Sequence, residues 1–341
     1  MSFSPEILNI DAEREIARIT ETIRFQLGRI LKRRGAVLGL SGGIDSSVTA
    51  ALCQKAVGED RVFTIFMPEG ESAESKESLE LGKLVADHLG VASTVEDITD
   101  ILAATKCYER RDEAIKQTIS EYQPSWKSKI VLPSVIDTDQ YRIFSVVVQK
   151  PDGTLIKARL STDAYLAIVA ATNFKQRTRK TIEYYYADKL NFAVAGTPNL
   201  LEYDQGFFVK QGDSMGDFKP IAHLYKTQVY ALAEALGLPE EIRKRPPTTD
   251  TYSLAQSQEE FYFSLPYHQM DLCLYAVNNN IPSNEVATVV GIPADAVERV
   301  FKDIQGKRRT TLYGHLPPLL VEDVEPIKRN IADATQKRGM S

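Results

Sequence analysis

Ser41, Gly42, Gly43, Ile44, Asp45, Ser46 and Ser47 follow directly on the apolar run Ala36 to Leu40. A strand that ends in Ser-Gly-Gly and turns into a helix leaves backbone N–H groups free at the helix start. Glycine lets that backbone come close to a ligand. Free amides and the helix dipole together make an anion site, and the hydroxyls of Ser41, Ser46 and Ser47 add donors. Asp45 would repel a bare phosphate, so its presence points to a Mg²⁺ ion bridging carboxylate and phosphate oxygens. The same residues also suit a plain helix start, with Asp or Ser as the cap and Gly-Gly as the turn. Taken alone, the stretch leaves both readings open. It matches neither G-x-x-x-x-G-K-[ST] nor G-x-G-x-x-G.

The elements that must position this loop read as follows. Ile16, Ile19, Ile23, Leu27 and Ile30 recur at helical spacing, which predicts an amphipathic helix over 11–34. A strand over 36–40, a helix from Asp45 to about Val57, a strand over 61–68, a helix over 72–89 and a strand over 91–98 follow. This alternation implies an α/β fold, a doubly wound parallel sheet with helices on both faces. The pattern breaks at about 108, and 108–160 reads as an insertion. Within it, Asp152-Gly153 between two apolar runs predicts a β-hairpin. A long helix over 161–189, a strand over 191–195, a glycine-containing loop over 201–219 and a helix over 226–236 come next. The remainder, about 255–341, reads as a helical subregion of a single domain spanning 1–341.

Composition narrows the class. The chain has 341 residues, is 43% hydrophobic and carries a net charge of -5, which gives no general attraction to nucleic acid. Cys53, Cys107 and Cys273 are scattered and match no metal spacing, as expected of reduced thiols in the cytoplasm. The four histidines, 88, 223, 268 and 315, share no ligand spacing. The start has no basic segment followed by an apolar core, so no secretory signal is expected, and no apolar run reaches the ~20 residues of a membrane span.

The loop SGGIDSS resembles the pyrophosphate-binding loop of the ATP pyrophosphatases. Three further blocks, NFKQRTRKTIEYYYAD (173–188), AGTPNLLEYDQGFFVKQGDSMGDFKPIAHLYKTQ (195–228) and RPPTTD (245–250), are similar in order and spacing to the motifs of ammonia-dependent NAD synthetases. The resemblance covers about 36–100 and 161–320. It implies the adenine nucleotide alpha-hydrolase-like fold. It also implies a reaction in which the carboxylate of deamido-NAD attacks the α-phosphate of ATP, pyrophosphate leaves, and ammonia displaces AMP. By the same resemblance, Ser41 to Ser47, Thr197, Lys226 and Thr248 contact ATP. Asp45 and Glu202 hold Mg²⁺, Lys226 and Asp45 carry the catalysis, and Asn173, Arg177, Lys210, Asp217 and Lys307 contact deamido-NAD. The residue types suit these roles: carboxylates for a hard cation, lysine as a point charge for phosphates, cations for a dinucleotide pyrophosphate. Lys226 otherwise stands at the positive end of a helix, a poor place for a solvated lysine.

The resemblance further implies a homodimer whose site borrows from both subunits. Ammonia is expected free or from a separate glutaminase. The chain departs from the family where His-Lys-Arg is usual near the C-terminus. Here Gly306-Lys307-Arg308-Arg309 stands, and Lys157 or Arg159 of the hairpin is the expected substitute. Two rivals follow. One is another AMP-forming ATP pyrophosphatase that amidates a different carboxylate. The other is a helix-turn-helix nucleic-acid binder built on 283–304, disfavoured because the second helix, 294–304, carries Asp295, Glu298 and Asp303 against Arg299 and Lys302.

Overall fold

The computed structural model describes residues 3–70, 72–135, 143–246 and 252–336. Ile16, Ile19 and Ile23 bury one face of α1 (Ala12–Phe25), which continues as a π-helical segment, Gln26–Leu31, ending on left-handed Lys32. Asp11 caps α1 by accepting from the Arg14 N–H. The apolar run becomes β1 (Ala36–Gly39), and the loop after it feeds α2 (Ile44–Val57). β2 (Val62–Phe66), α3 (Ala73–Leu89) and β3 (Ala92–Val95) complete the first half of the sheet.

α4 (Thr99–Ala104) and α5 (Cys107–Lys116) lead to β4 (Lys127–Val131), β5 (Ser145–Gln149) and β6 (Leu155–Arg159). These three strands form a separate antiparallel sheet, with Gly153 at positive φ between β5 and β6. The expected hairpin is therefore present, and β4 adds a third strand that the sequence reading did not foresee. The sheet packs Ile130, Val146 and Val148 against Ile115 of α5 and Ala164 and Ile168 of α6 (Thr162–Leu190).

β7 (Ala193–Val194) returns the chain to the first sheet, whose order is β3-β2-β1-β7, all parallel. Successive residues of β1 face opposite layers, as strand geometry requires. Ala36 and Leu38 join α1 and α2 in one core, while Val37 joins Ile65, Val194 and Ala187 of α6 in another. Helices thus cover both faces, as expected. Because the chain leaves β1 for β2 on one side and later adds β7 on the other, β1 and β7 flank a topological switch point. In such sheets ligands bind at the carboxyl ends of the strands on either side of that point.

The loop expected over 201–219 is a helix at its start. α7 (Leu200–Gln205) has Asn199 as its cap, with Glu202 closing a reciprocal capping box. α8 (Lys226–Ala235) and α9 (Glu240–Lys244) follow. α10 (Tyr267–Asn279), α11 (Ser283–Val290) and α12 (Ala294–His315) then build a third core around Met270, Leu274, Val286, Val297 and Val300. The helix expected over 294–304 is only the first half of α12. Its apolar side is buried in that core, and Asp295 pairs with Arg299 at 2.8 Å. α13 (Glu325–Gln336) ends the described chain, and no described helix is long and apolar enough to cross a membrane.

Candidate active site

The loop after β1 is knitted by its own serines. Ser46 Oγ and Ser47 Oγ donate to the Gly43 carbonyl at 3.0 and 2.8 Å, and the Gly43 N–H donates to Ser41 Oγ at 3.3 Å. Gly42 has φ +70, and an added Cβ would stand 2.5 Å from Leu81 Cβ, so the turn needs glycine there. Gly43 sits at the cap position of α2, and no side chain caps that helix. The plain helix-start reading therefore loses its main element. Asp45 does not turn back on the amides but reaches across the site.

Asp45 is held from two sides. Its Oδ2 accepts from the Lys226 ammonium, and its Oδ1 accepts from Asn199 Nδ2 at 3.0 Å. Lys226 is the first residue of α8 and is 2% exposed. Burial alone would lower its pKa. The charges of Asp45 and Glu202 outweigh that and hold it above the usual lysine range, so the ammonium keeps its proton. Glu202 Oε1 accepts from Gln258 Nε2 at 3.2 Å, and its Oε2 accepts from the Asn199 N–H at 3.3 Å. Burial first, and the nearby Asp45 charge second, push the Glu202 carboxyl well above the usual carboxylate range.

These residues share one cavity of about 820 Å³. Ser41, Gly43, Ile44, Asp45, Ser46, Thr197, Glu202, Lys226 and Asn173 all line it, whereas Gly42 and fully buried Ser47 stand behind the wall and shape it. The volume is within the range of small-molecule sites. Two carboxylates with hydroxyl and backbone donors beside them suit a hard cation that also takes phosphate oxygens. Asp45 and Glu202 are residues of this cavity that could hold such an ion.

The other expected site residues separate. Arg177 Nε donates to the Lys210 carbonyl at 3.3 Å, and Lys210 Nζ donates to the Tyr313 carbonyl at 2.8 Å. Asp217 accepts from the Val194 N–H at 2.7 Å and from Tyr184 Oη at 3.3 Å. None of Arg177, Lys210 and Asp217 lines the cavity, although Arg177 stands one turn beyond Asn173 on α6. Lys307 lies in the helical layer, bonded to Asp303 and to the Tyr262 carbonyl at 2.6 Å, and does not line the cavity. Lys157 and Arg159 are on the exposed side of β6 and do not line it either. Thr248 lies outside the described residues.

Asn199, Gln258 and Arg245, polar residues around the loop and the Asp45 pair, were not singled out from sequence. Asn199 carries a readable signal, since Asn-x-x-Glu is a capping-box pattern. Gln258 carries none. Arg245 was visible only as part of RPPTTD. Its Nη1 donates to the Ser41 carbonyl at 3.4 Å and its Nη2 to Ser78 Oγ at 3.2 Å, tying the loop to α3.

The sequence model of the NAD synthase family matches residues 15–124 and 139–310. The chain is 58% identical over 326 residues to the NH(3)-dependent NAD(+) synthetase of Rhizobium meliloti (strain 1021), covering 96% of this chain and 97% of that one. It is 35% identical over 248 residues to the enzyme of that name from Thermotoga maritima, covering 72% of this chain and 81% of that one. In shape it is similar to the NH3-dependent NAD synthetase of Campylobacter jejuni, with a TM-score of 0.60 at 24% identity over 92% of this chain and all of that one. It is similar also to the NMN synthetase of Francisella tularensis, with a TM-score of 0.61 at 20% identity over 92% of this chain and all of that one. At those identities the two structures speak for the fold.

Proposed function

The chain belongs to the NAD synthase family, and from that premise we propose that it joins ammonia to the carboxylate of deamido-NAD, forming NAD while ATP is converted to AMP and pyrophosphate. The observation that carries this reading is the convergence of Asp45, Glu202 and Lys226 on one cavity at the sheet's switch point, with buried Asn199 bonded to both carboxyl groups, beside an uncapped helix start.

The chemistry asks little covalent work of the protein. A carboxylate oxygen of deamido-NAD attacks the α-phosphorus of ATP, and the bond from that phosphorus to the bridging oxygen breaks. Pyrophosphate leaves with the electron pair, giving an acyl adenylate. Ammonia then attacks the acyl carbon, AMP leaves, and the nitrogen loses a proton. The free amides at the start of α2 and the serine hydroxyls suit the phosphates. Lys226, kept protonated, supplies positive charge where the leaving group gains negative charge. Asp45 and Glu202 are the residues that would hold Mg²⁺, and the ion would supply positive charge for the phosphate oxygens. Thr197 contributes a hydroxyl at the end of β7, and Thr248 is carried to ATP by the family motif. Holding the reactants in line supplies much of the rate.

The acceptor is assigned to Asn173 inside the cavity and to Arg177 of α6 with Lys210 and Asp217 of the segment after α7, which lie beside it. That group suits a site completed by a second copy. Leu166 and Tyr185 of α6 are 55% and 59% exposed, which supports a homodimer through this helix. α1 supports it less, because Ile16, Ile19 and Ile23 are spent in the chain's own core. The three buried free cysteines suit a reducing cytoplasm. The test is AMP formation from ATP with deamido-NAD, ammonium and Mg²⁺. Sedimentation at micromolar concentration tests the dimer, and a strict monomer with full activity contradicts it.

A further inference from the structure

Lys226 must present its ammonium from the first residue of α8, where the N–H groups of the opening turn have no intrahelical partner. The sequence supplies no ordinary cap there, since Tyr225 precedes it and caps nothing with its side chain. Gln228 Oε1 accepts from the Tyr225 N–H at 3.0 Å while its Nε2 donates to the Leu8 carbonyl at 3.0 Å, so this side chain leaves the N–H groups of Lys226 and Thr227 unserved. The missing acceptor comes from α10. Asp271, fully buried, accepts the Thr227 N–H at Oδ2, 2.8 Å away.

Resting on the functional reading above, we infer that Asp271 is the positioning residue for Lys226. From another helix it caps α8, and so fixes the backbone from which the lysine reaches Asp45 and the phosphates. It answers the misfit seen in the sequence, because a carboxylate at the positive end of α8 offsets a lysine placed there. Asp271 itself touches neither Asp45 nor the cavity. Its effect is therefore expected on the step that needs Lys226 in place, and not on ATP capture by the loop.

The experiment compares wild type, Asp271→Ala and Asp271→Asn in AMP formation with ATP, deamido-NAD, ammonium and Mg²⁺, together with hydrogen exchange of the peptide spanning 225–229. Loss of the cap is expected to lower kcat about tenfold or more, with the KM for ATP within about threefold of wild type, because a shift of roughly 1 Å in a positioned group is costly to rate. Exchange at 225–229 should quicken in Asp271→Ala. Asparagine keeps an acceptor oxygen, so Asp271→Asn should return kcat and exchange to within about threefold of wild type. A folded Asp271→Ala with wild-type kcat and exchange overturns the inference. If Asp271→Ala does not fold, Asp271→Asn decides alone, and a kcat more than about tenfold below wild type overturns it. A wild-type protein that forms no AMP contradicts the functional reading instead, and the exchange measurement still decides whether Asp271 holds the start of α8.

Discussion

The ammonium of Lys226 donates to the carboxylate of Asp45, which lies 181 positions earlier in the chain. One is the first residue of α8 and the other the second residue of α2, so the pair ties two helix starts together over one cavity. Each of these helix ends favours negative charge. In the proposed reaction the phosphates of ATP would compete with the carboxylate for the lysine.

Removing the lysine tests its role in the proposed reaction. Lys226→Ala is expected to lower kcat roughly 10²-fold or more, the scale for one preorganised electrostatic group. Lys226→Arg should not restore it, because a planar guanidinium is a poor substitute for a point charge in a closed site. Asp45→Asn and Glu202→Gln should each remove the response to added Mg²⁺ with the circular dichroism unchanged. Wild-type turnover in all of these variants would contradict the site.

Gly42 and Gly43 are adjacent but not equivalent. An added Cβ at Gly42 meets Leu81 Cβ at 2.5 Å at φ +70, while at Gly43 it meets only Ser41 Oγ at 3.3 Å. Gly42→Ala should therefore cost more than the ~1–2 kcal/mol of a left-handed backbone alone. Gly43→Ala should cost well under that. Thermal unfolding of the two variants checks the order, and equal losses would contradict it.

Much of this was readable in the residues, because the main signals are local. An apolar run, a Ser-Gly-Gly turn and a helix follow each other without interruption, so β1, its loop and α2 were placed to within a residue or two. The start of 201–219 was misread because Gly206 drew attention away from Asn199 and Glu202, whose capping box starts α7. β4 was missed because Lys127–Val131 alternates too briefly to stand out, and its pairing with β5 is set by tertiary contact. Lys307 sits in the expected motif position. Its environment, Asp303 and Tyr262, depends on how α12 packs. Asp271 meets Thr227 across 44 residues, and Arg245 meets Ser41 across 204, so no spacing rule reaches either.

Asp271 also makes a stability prediction. Burial raises its carboxyl from 3.8 to about 6, against the amides of α8 that pull it down. The folded chain thus holds this proton more tightly than the unfolded chain. The stability this gives is fully present below the unfolded value and is lost as pH rises through the folded one. A shift of about two units corresponds to roughly 3 kcal/mol at most. Asp271→Asn removes the dependence, so urea unfolding should show the variant gaining on wild type between about pH 4 and about pH 7. A stability difference that stays constant over that range would contradict the assignment.

The central claim is the reaction itself. ATP labelled in the α-phosphate is incubated with the protein, deamido-NAD, ammonium and Mg²⁺, and the labelled product is identified alongside NAD. The account predicts labelled AMP, pyrophosphate and NAD in equal amounts, with no ADP, and no AMP when deamido-NAD is left out. Labelled ADP, or AMP formed only with a different carboxylate, would contradict it.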